Sequence, residues 1–302
     1  MTTATGTELF RGGTVTTRHR PYWWDVIVRL VRHKPLGLIG AIIVLVMTIA
    51  AIFAPLLAPY DYTEIVASER LKPPSATYFF GTDNAGRDMF SRILFGARIS
   101  LRVGLSSVLI STTAATLIGV VSAYFGGWFD TILQRFVDAM QALPGLILVL
   151  TIMAVLGSGV NNVILAIAIG ASVSGSRVIR GAALSVKAQP YIEAARTLGA
   201  GHLRIIVQHL LPNVMAPAIT LASIGLGAAI LAESSLSFLG LGVPPDVPTW
   251  GGMLAGSGRR WMLQAWWLAF FPGFVLSLAV FGFNMLGDAL RDLLDPRLRG
   301  AR

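Results

Sequence analysis

The sequence predicts an all-α protein that crosses a membrane six times. Of its 302 residues, 54% are hydrophobic and 13% are charged, whereas soluble domains carry about 25% charged residues. The mean hydropathy is +0.69, and the apolar residues are concentrated in segments of membrane-spanning length. The low charge excludes a soluble globular domain, and the high hydrophobicity excludes intrinsic disorder. The absence of cysteine excludes disulfide scaffolds, thiol nucleophiles and cysteine metal sites.

Each of six apolar segments is close to the length of about 20 residues that a helix needs to cross a bilayer. They lie at Leu36–Ala58, Val103–Phe125, Ala139–Leu156, Asn162–Val178, Val214–Phe238 and Ala265–Gly287. The second segment is rich in serine and threonine, and the fourth and fifth are rich in glycine and alanine. Because small residues let helices pack closely in lipid, we expect these three inside the bundle. The bulkier aliphatic surface of the first segment predicts a peripheral helix.

Six crossings place both termini on one side of the membrane, and the positive residues indicate which side. With a cytoplasmic N-terminus, 16 of the 24 Lys and Arg residues lie on the cytoplasmic side, as the positive-inside rule requires. We therefore predict an inner-membrane protein with cytoplasmic N- and C-termini. The net charge of +9 is then a topology signal, and nucleic-acid binding is not expected.

Composition divides the chain into five parts. Residues 1–35 are predicted to form a cytoplasmic arm, in which Trp23 and Trp24 indicate a helix lying in the membrane interface; the alternative is an ordinary cytoplasmic lead-in. The other four parts are the first transmembrane helix at 36–58, an external loop at 59–98, a helical core at 99–290 with a cytoplasmic loop at 189–213, and a cytoplasmic tail at 291–302. Within the external loop a helix is predicted to begin at Thr82 or Asp83. Within the core a second external loop, Gly240–Met262, is predicted to cap the bundle.

The chain lacks the residues that common catalytic sites need. A phosphate-binding loop requires Gly-Lys-Ser/Thr, but the three lysines, Lys34, Lys72 and Lys187, all follow residues other than glycine. The four histidines form no metal-binding motif, and no Gly-x-Ser-x-Gly turn occurs. We therefore expect no catalytic residue, no metal site and no cofactor in this chain.

Three residues within the predicted spans are candidates for a translocation path. Glu233 and Ser234 lie in the outer part of the fifth span, and ionisable residues inside membranes are costly and often functional. The alternative for Glu233 is structural, as a carboxylate near the outer edge that bonds serine or backbone groups of neighbouring helices. Pro144 lies one turn into the third span, where proline bends a helix. Such a bend serves either as a gate hinge or as a packing feature.

The loop between the fourth and fifth spans carries the most informative pattern. Pro190 can begin a helix because the N–H that it lacks is free in any first turn, and Gly199 supplies the positive φ that ends one. A second helix is predicted to run from Ala200 to Leu211 and to end at Pro212. Its apolar face consists of Leu203, Ile206, Val207, Leu210 and Leu211. Two short helices in an L outside the membrane are a suitable partner for a groove in another protein.

This elbow, residues 189–213, resembles the EAA loop of ATP-binding-cassette (ABC) importer permeases. Glu193-Ala194-Ala195, Gly199 and Leu211-Pro212 fall at the spacing of that family. His209 stands where the family has isoleucine. Because that isoleucine normally packs, we expect this one turn to pack differently from the family pattern. The resemblance implies that the elbow couples to the ATPase through Glu193, Ala194, Ala195, Gly199, Arg204, Leu211 and Pro212.

Longer segments resemble the dipeptide and oligopeptide permeases, in particular the DppC/OppC-type subunit. They are residues 81–92, 231–242, 249–251 and 284–297, together with the long first external loop. The resemblance implies the transmembrane domain of a type I ABC importer, a non-catalytic subunit that moves di- or oligopeptides by alternating access. It also implies four partners: a DppB/OppB-type sister permease, ABC ATPase subunits that bind ATP and Mg²⁺, an extracytoplasmic peptide-binding protein, and membrane lipid.

Two alternative functions stay open at the level of the sequence. Nickel and glutathione importers share these signatures, so the family defines the fold more closely than the substrate. The alternative from another class is a proton-coupled secondary transporter with Glu233 as the proton carrier. Such transporters usually have internal repeats or paired broken helices, and neither is evident in this sequence.

Overall fold

A computed structural model describes residues 34–294, and its regular structure is helical. The predicted interfacial helix around Trp23 and Trp24 lies outside the described residues, as does most of the tail 291–302. The helices are α1 (Pro35–Ile52), α2 (Ala54–Leu57), α3 (Met89–Phe125), α4 (Gly127–Gln141), α5 (Gly145–Leu156), α6 (Val160–Lys187), α7 (Pro190–Thr197), α8 (His202–Phe238), α9 (Trp250–Met253), α10 (Arg259–Trp261) and α11 (Trp267–Leu294), with a 3₁₀ turn at Ala67–Glu69 and a π-helical turn at Leu254–Gly258.

Five of these helices, α1, α3, α6, α8 and α11, are long and apolar enough to cross a membrane. The bent pair of α4 and α5 makes a sixth crossing if the two are counted as one span. The predicted all-α membrane class is therefore confirmed. The helices α6 and α11 extend past their predicted ends to Lys187 and Leu294, because a helix continues into polar sequence beyond its apolar segment.

The start of α3 corrects the prediction for the first external loop. The sequence predicts a helix from Thr82 or Asp83, but α3 is one helix of 37 residues that begins at Met89. It begins there because the Asp88 side chain caps it, accepting a hydrogen bond of 2.7 Å from the Ser91 N–H. Burial raises the pKa of Asp88, and the hydrogen bonds from Ser91 oppose this rise. At about 1.5 Å per residue, α3 extends well beyond the hydrocarbon core, so the predicted external helix and the second span are one element.

The third predicted span, Ala139–Leu156, is not one helix. The helices α4 and α5 are separated by a break of three residues, and their axes are bent by 92°. Pro144 in this break has an extended backbone, with φ −53° and ψ 134°, because proline disrupts a continuing helix. With 12 residues, or about 18 Å, α5 is too short to cross a bilayer alone. Pro144 therefore turns the chain instead of bending one continuous helix.

Glycines allow the closest contacts between helices. A Cβ added to Gly119 in α3 would lie 2.7 Å from the carbonyl oxygen of Ser176 in α6. A Cβ added to Gly40 in α1 would lie 2.6 Å from the carbonyl oxygen of Gly282 in α11. The opposite side of α1 exposes bulky aliphatic side chains, namely Leu36, Ile39, Ile42, Leu45, Val46 and Ile49. The first span is therefore peripheral, as predicted.

The bundle has two distinct ends. The elbow, residues 189–213, lies at one of them, and the segments 53–88 and 239–266 lie at the other; we name them the elbow end and the loop end. Lys34, before α1, and Asp292, near the end of α11, form an ion pair of 2.5 Å. The first and last described residues therefore meet at the elbow end.

The second external loop, predicted to be a cap at Gly240–Met262, folds into the bundle. Trp250 in α9 is fully buried, and its indole N–H donates to the Ile93 carbonyl of α3 at 3.2 Å. The helix α9 also lies directly against α8, because a Cβ on Gly251 would overlap Ser234. This loop is therefore part of the core at the loop end.

A buried carboxylate organises the end of the first external loop, just before α3 begins. The carboxylate of Asp83 accepts hydrogen bonds from Arg87 Nε at 2.8 Å, from the Ala85 N–H at 2.8 Å and from the Arg87 N–H at 3.0 Å. The indole N–H of Trp267 in α11 donates to the adjacent carbonyl of Thr82 at 3.1 Å. The part of this loop that resembles the permease family, within residues 81–92, therefore has a structural role.

Gly86→Ala is expected to loosen this loop. Gly86 has φ +86°, and a Cβ there would overlap the carbonyl oxygen of Val66. The loop must move, and the strained backbone alone costs about 1–3 kcal/mol. Limited proteolysis of the purified complex should show faster cleavage within residues 59–88 than in the wild type. Gly157→Ala, at φ +78° with no neighbour within 4 Å, should leave that cleavage unchanged. Unchanged protection in Gly86→Ala would refute the expectation.

Candidate coupling surface and substrate cavity

Both ends of α7 are set by local sequence, as predicted. Pro190 occupies the first turn, where an N–H would have no helical partner. At the other end Gly199 has φ +83°. The Gly199 N–H donates to the Arg196 carbonyl at 2.9 Å, and the Ala200 N–H donates to the Ala195 carbonyl at 3.0 Å. These two bonds form a Schellman motif, which ends a helix at a glycine.

The second half of the elbow is not a separate helix. The helix α8 begins at His202 and continues through the whole fifth span, so the predicted end at Pro212 is wrong. A π-helical turn at Ile205–Leu210 ends two residues before the proline. Pro212 has no N–H for the carbonyl four residues earlier, and the wider turn accommodates its ring. Asn213 Nδ2 donates to the His209 carbonyl at 2.6 Å. The elbow is therefore α7, a turn, and the start of a spanning helix.

The π-helical turn also changes which residues of the elbow are buried. The apolar face predicted from the sequence assumes a regular helix of 3.6 residues per turn. In the structure Ile205 and Leu210, five residues apart, are fully buried, and the buried stripe continues at Val214. Leu203 and Val207, which belong to the predicted face, are 75% and 49% exposed. The extra residue in the wide turn moves the buried stripe to different side chains.

The elbow presents an exposed surface that combines apolar and charged side chains, which we name the coupling surface. Its apolar members are Tyr191, Leu198, Leu203 and Val207. An exposed apolar patch among charged residues is typical of a protein interaction site. Of the residues predicted to couple, Glu193, Ala194, Gly199, Arg204 and Pro212 are exposed, and Ala195 and Leu211 are half-buried.

Tyr124, at the end of α3, connects the elbow to the bundle. Its side chain is buried, and its hydroxyl oxygen lies 2.7 Å from Nδ1 of His202, the first residue of α8. The guanidinium of Arg196 in α7 lies over the Tyr124 ring, 5.6 Å from the centroid, which is a cation–π contact. Lys187 at the end of α6 donates to the Tyr124 carbonyl at 2.8 Å. One residue of α3 therefore contacts α6, α7 and α8.

A bidentate ion pair fixes α4 at the same end of the bundle. Arg180 of α6 donates to Asp130 of α4 from Nε at 2.7 Å and from Nη2 at 2.5 Å. Such forked arginine–carboxylate pairs define orientation as well as distance. The Ser122 hydroxyl of α3 also donates to Asp130. The three helices α3, α4 and α6 are therefore held together beside the elbow.

A cavity of about 360 Å³ lies between α3, α5, α6 and α8. Its lining has small and aliphatic residues and no charged side chain. The hydroxyl-bearing residues are Ser107, Ser111, Thr112 and Ser174, and the glycines are Gly145, Gly170, Gly175 and Gly225. A cavity of this size accommodates a small ligand. The uncharged lining offers no ion-pair partner to a ligand of either charge.

The three residues predicted for a translocation path do not line this cavity. Glu233 is fully buried and accepts hydrogen bonds from Ser237 Oγ at 2.9 Å, Ser100 Oγ at 3.4 Å and Ser234 Oγ at 3.5 Å. Ser234 packs against α9, and Pro144 precedes the first lining residue of α5. The Glu233 carboxylate thus accepts hydrogen bonds from serines of α3 and α8. This is the arrangement expected if Glu233 has a structural role and does not line a translocation path.

Several residues of these sites do not stand out in the sequence. Tyr124 is an aromatic residue at a helix end, and no neighbour in the sequence indicates its contacts with His202 and Arg196. Lys187 gives a partial signal because lysine commonly bonds the last carbonyls of a helix. The carbonyls that it bonds belong to α3 and not to its own helix. These contacts depend on which helices are neighbours in space.

Comparisons with known proteins identify the family. Residues 115–300 match the binding-protein-dependent transport system inner membrane component, and residues 21–74 match the N-terminal transmembrane domain of oligopeptide transport permease C. The dipeptide transport system permease protein DppC of Alkalihalophilus pseudofirmus is 42% identical over 92% of this chain and 90% of its own length. The glutathione transport system permease protein GsiD of Escherichia coli O157:H7 is 40% identical over 92% of this chain and 91% of its own length.

A solved structure matches the fold. It is a chain of the MetNI methionine ABC transporter in inward-facing conformations, with a TM-score of 0.56 and 17% sequence identity. The match covers 68% of this chain and 98% of that chain, and it shows the type I ABC importer permease fold. The elbow and the helical bundle agree with these sequence matches. This chain therefore belongs to the family of binding-protein-dependent transport system inner membrane components, and it is a multi-pass permease subunit of the DppC/OppC type.

Proposed function

We propose that this chain is one of two permease subunits in an ATP-driven importer of short peptides. The observation that carries the proposal is the continuity of α8, which runs from the exposed elbow to the cavity wall without a break. A displacement at His202 therefore reaches Leu221 and Ala232 in that wall through one helix. In this proposal the elbow and both termini are cytoplasmic, and the loop end faces outward.

The elbow receives the movement of the ATPase. ATP and Mg²⁺ bind to separate ATPase subunits, which contact the coupling surface. When these subunits close on ATP they displace α7, and the buried anchors Ile192 and Ile205 pass the displacement to the bundle. Tyr124 passes it to α3 at the same time. Because α3 and α8 form two walls of the cavity, their relative movement changes which end of the cavity is open, which is alternating access.

Short peptides are the substrate class that the observations support best. The relatives are named for dipeptide and glutathione transport, and glutathione is itself a small peptide. The hydroxyl groups of the cavity can bond the amide groups that all peptides share, while its small uncharged lining tolerates different side chains. Imidazole is a suitable ligand for a nickel ion, and no histidine lines this cavity.

Reconstitution of the complete complex in proteoliposomes tests this proposal. The chain, its sister permease, the ATPase subunits and the binding protein are expected to accumulate a radiolabelled dipeptide only with ATP and Mg²⁺ on the elbow side. A proton ionophore should have no effect on this uptake. Uptake that follows a proton gradient and ignores ATP would instead favour the secondary transporter.

Tyr124→Leu is expected to uncouple ATP hydrolysis from uptake. The variant loses the hydroxyl contact to His202 and the ring beneath Arg196 but keeps an apolar side chain. We expect an assembled complex that hydrolyses ATP while uptake falls about tenfold, which corresponds to ~1.4 kcal/mol of coupling. Tyr124→Phe keeps the ring and should lose less. If hydrolysis and uptake fall equally in Tyr124→Leu, the residue has only a structural role.

A further inference from the structure

A second cavity, of about 200 Å³, lies at the loop end, where the first external loop meets α3, α9 and α10. Three arginines line it, Arg87, Arg92 and Arg260. Its other polar side chains include Asn84 and Ser257, and no carboxylate is among its lining residues. The transport steps described above do not use this cavity.

The positive charge of this cavity is only partly neutralised. Asp83 pairs with Arg87 at 2.8 Å, and backbone amides occupy its other oxygen. The Nε of Arg92 is 4.0 Å from the same carboxylate, and the exposed Asp246 also attracts Arg92. Within residues 34–294, Arg260 has no carboxylate within 4.0 Å. The cavity therefore retains an excess of positive charge.

Arg92 is buried with few hydrogen-bond partners. It is 4% exposed, and the described residues supply one acceptor, the Tyr62 carbonyl at 3.1 Å from Nη1. A guanidinium has five N–H donors, and a buried cation is costly unless it is paired and hydrogen-bonded. Arg92 therefore has unused donors, and it lines a cavity that is large enough for one more side chain. A forked donor in this position is suited to a carboxylate, which accepts two parallel bonds.

We propose that this cavity accepts an aspartate or glutamate side chain of the extracytoplasmic binding protein when that protein docks on the loop end. The proposal rests on the proposed function, because it requires such a partner, and the family of this chain is itself described as binding-protein-dependent. A volume of about 200 Å³ suits one side chain and excludes a folded segment. The exposed Arg260 and the buried Arg92 then bind one carboxylate from two sides.

Arg259 provides a matched control for this site. It is adjacent to Arg260 and is also exposed, but it does not line the cavity. Its guanidinium lies over the Phe238 ring, 5.4 Å from the centroid. Charge reversal at either arginine changes the net charge of the loop end by the same amount. Only reversal at Arg260 changes the charge within the cavity.

Docking of the purified binding protein to the complete permease–ATPase complex in nanodiscs tests the proposal. R260E is expected to weaken docking at least about tenfold, because the carboxylate would face a like charge, and R259E less than about threefold. A lysine in place of the docking acid of the binding protein should restore affinity to R260E. Equal weakening by R260E and R259E would overturn the proposal, since it would indicate only long-range attraction. Unchanged docking of R260E would overturn it too.

The same experiment separates this site from the proposed function. If the binding protein stimulates ATP hydrolysis equally in the wild type and R260E, the importer stands and the site is wrong. If R260E docks normally but loses anionic phospholipid in native mass spectrometry, the cavity is a lipid headgroup site and the proposal is overturned. If the binding protein does not dock on the wild-type complex, both the site and the proposed function fail.

Discussion

Gly199→Val is expected to abolish uptake while the complex still assembles. Gly199 has φ +83°, and the two hydrogen bonds that end α7 close around it. A β-branched residue is strongly disfavoured in this conformation, with a strain of about 1–3 kcal/mol. A Cβ at this position meets no other atom within 4 Å, so the effect acts through the backbone alone. The angle between α7 and α8 changes, and the coupling surface no longer fits the ATPase.

Uptake and ATP hydrolysis measured in the same proteoliposomes test this prediction. Gly201→Val is the matched control, because Gly201 is also free of neighbours but has φ −68°, which valine adopts readily. Gly199→Asn should keep part of the uptake, since asparagine tolerates the left-handed conformation. Normal uptake in Gly199→Val would show that the turn at Gly199 is not required for coupling.

Glu233→Leu is expected to prevent accumulation of the folded chain. Its fully buried carboxylate accepts hydrogen bonds from Ser100, Ser234 and Ser237. Leucine would leave these hydroxyls without their acceptor, and each unsatisfied buried polar group costs about 1–3 kcal/mol. The total stability of a protein is only about 5–15 kcal/mol. The yield of complex after detergent extraction, and its thermal unfolding, measure the loss.

Glu233→Gln separates this structural role from proton transport. Glutamine keeps an oxygen acceptor and a similar shape, but it cannot carry a proton through the transport cycle. The structural role predicts an assembled complex with ATP-dependent uptake of the same order as the wild type. A fully assembled Glu233→Gln complex without uptake would favour the proton-coupled alternative.

Local signals in the sequence were sufficient where one residue determines the backbone. Pro190 and Gly199 set the two ends of α7, as predicted, because a missing N–H and a positive φ act within a single turn. The peripheral position of α1 also follows from its own side chains. The elbow was located by the same local signals, and the family resemblance, whose motif lies within that short segment, added its predicted coupling role.

The sequence did not predict features that depend on a helix and its neighbours together. Pro212 marks a helix end by local rules, but the π-helical turn before it lets α8 continue into the span. Hydropathy treats Ala139–Leu156 as one apolar segment, although Pro144 separates two helices at 92°. Tyr124 and Arg92 contact residues that are far away in the chain. Their contacts could be found only after the helices had been placed in space.

Site-directed cross-linking tests the central claim most directly, namely that the elbow couples ATP hydrolysis to transport. The chain has no cysteine, so one introduced cysteine gives no background from this subunit. Leu198 is 88% exposed on the coupling surface, and Leu263 is 96% exposed at the loop end. We predict that a short cross-linker joins Leu198→Cys to an ATPase subunit, with a yield that changes when ATP is added, and does not join Leu263→Cys to it. Cross-linking of the ATPase at Leu263→Cys, or none at Leu198→Cys, would contradict the claim.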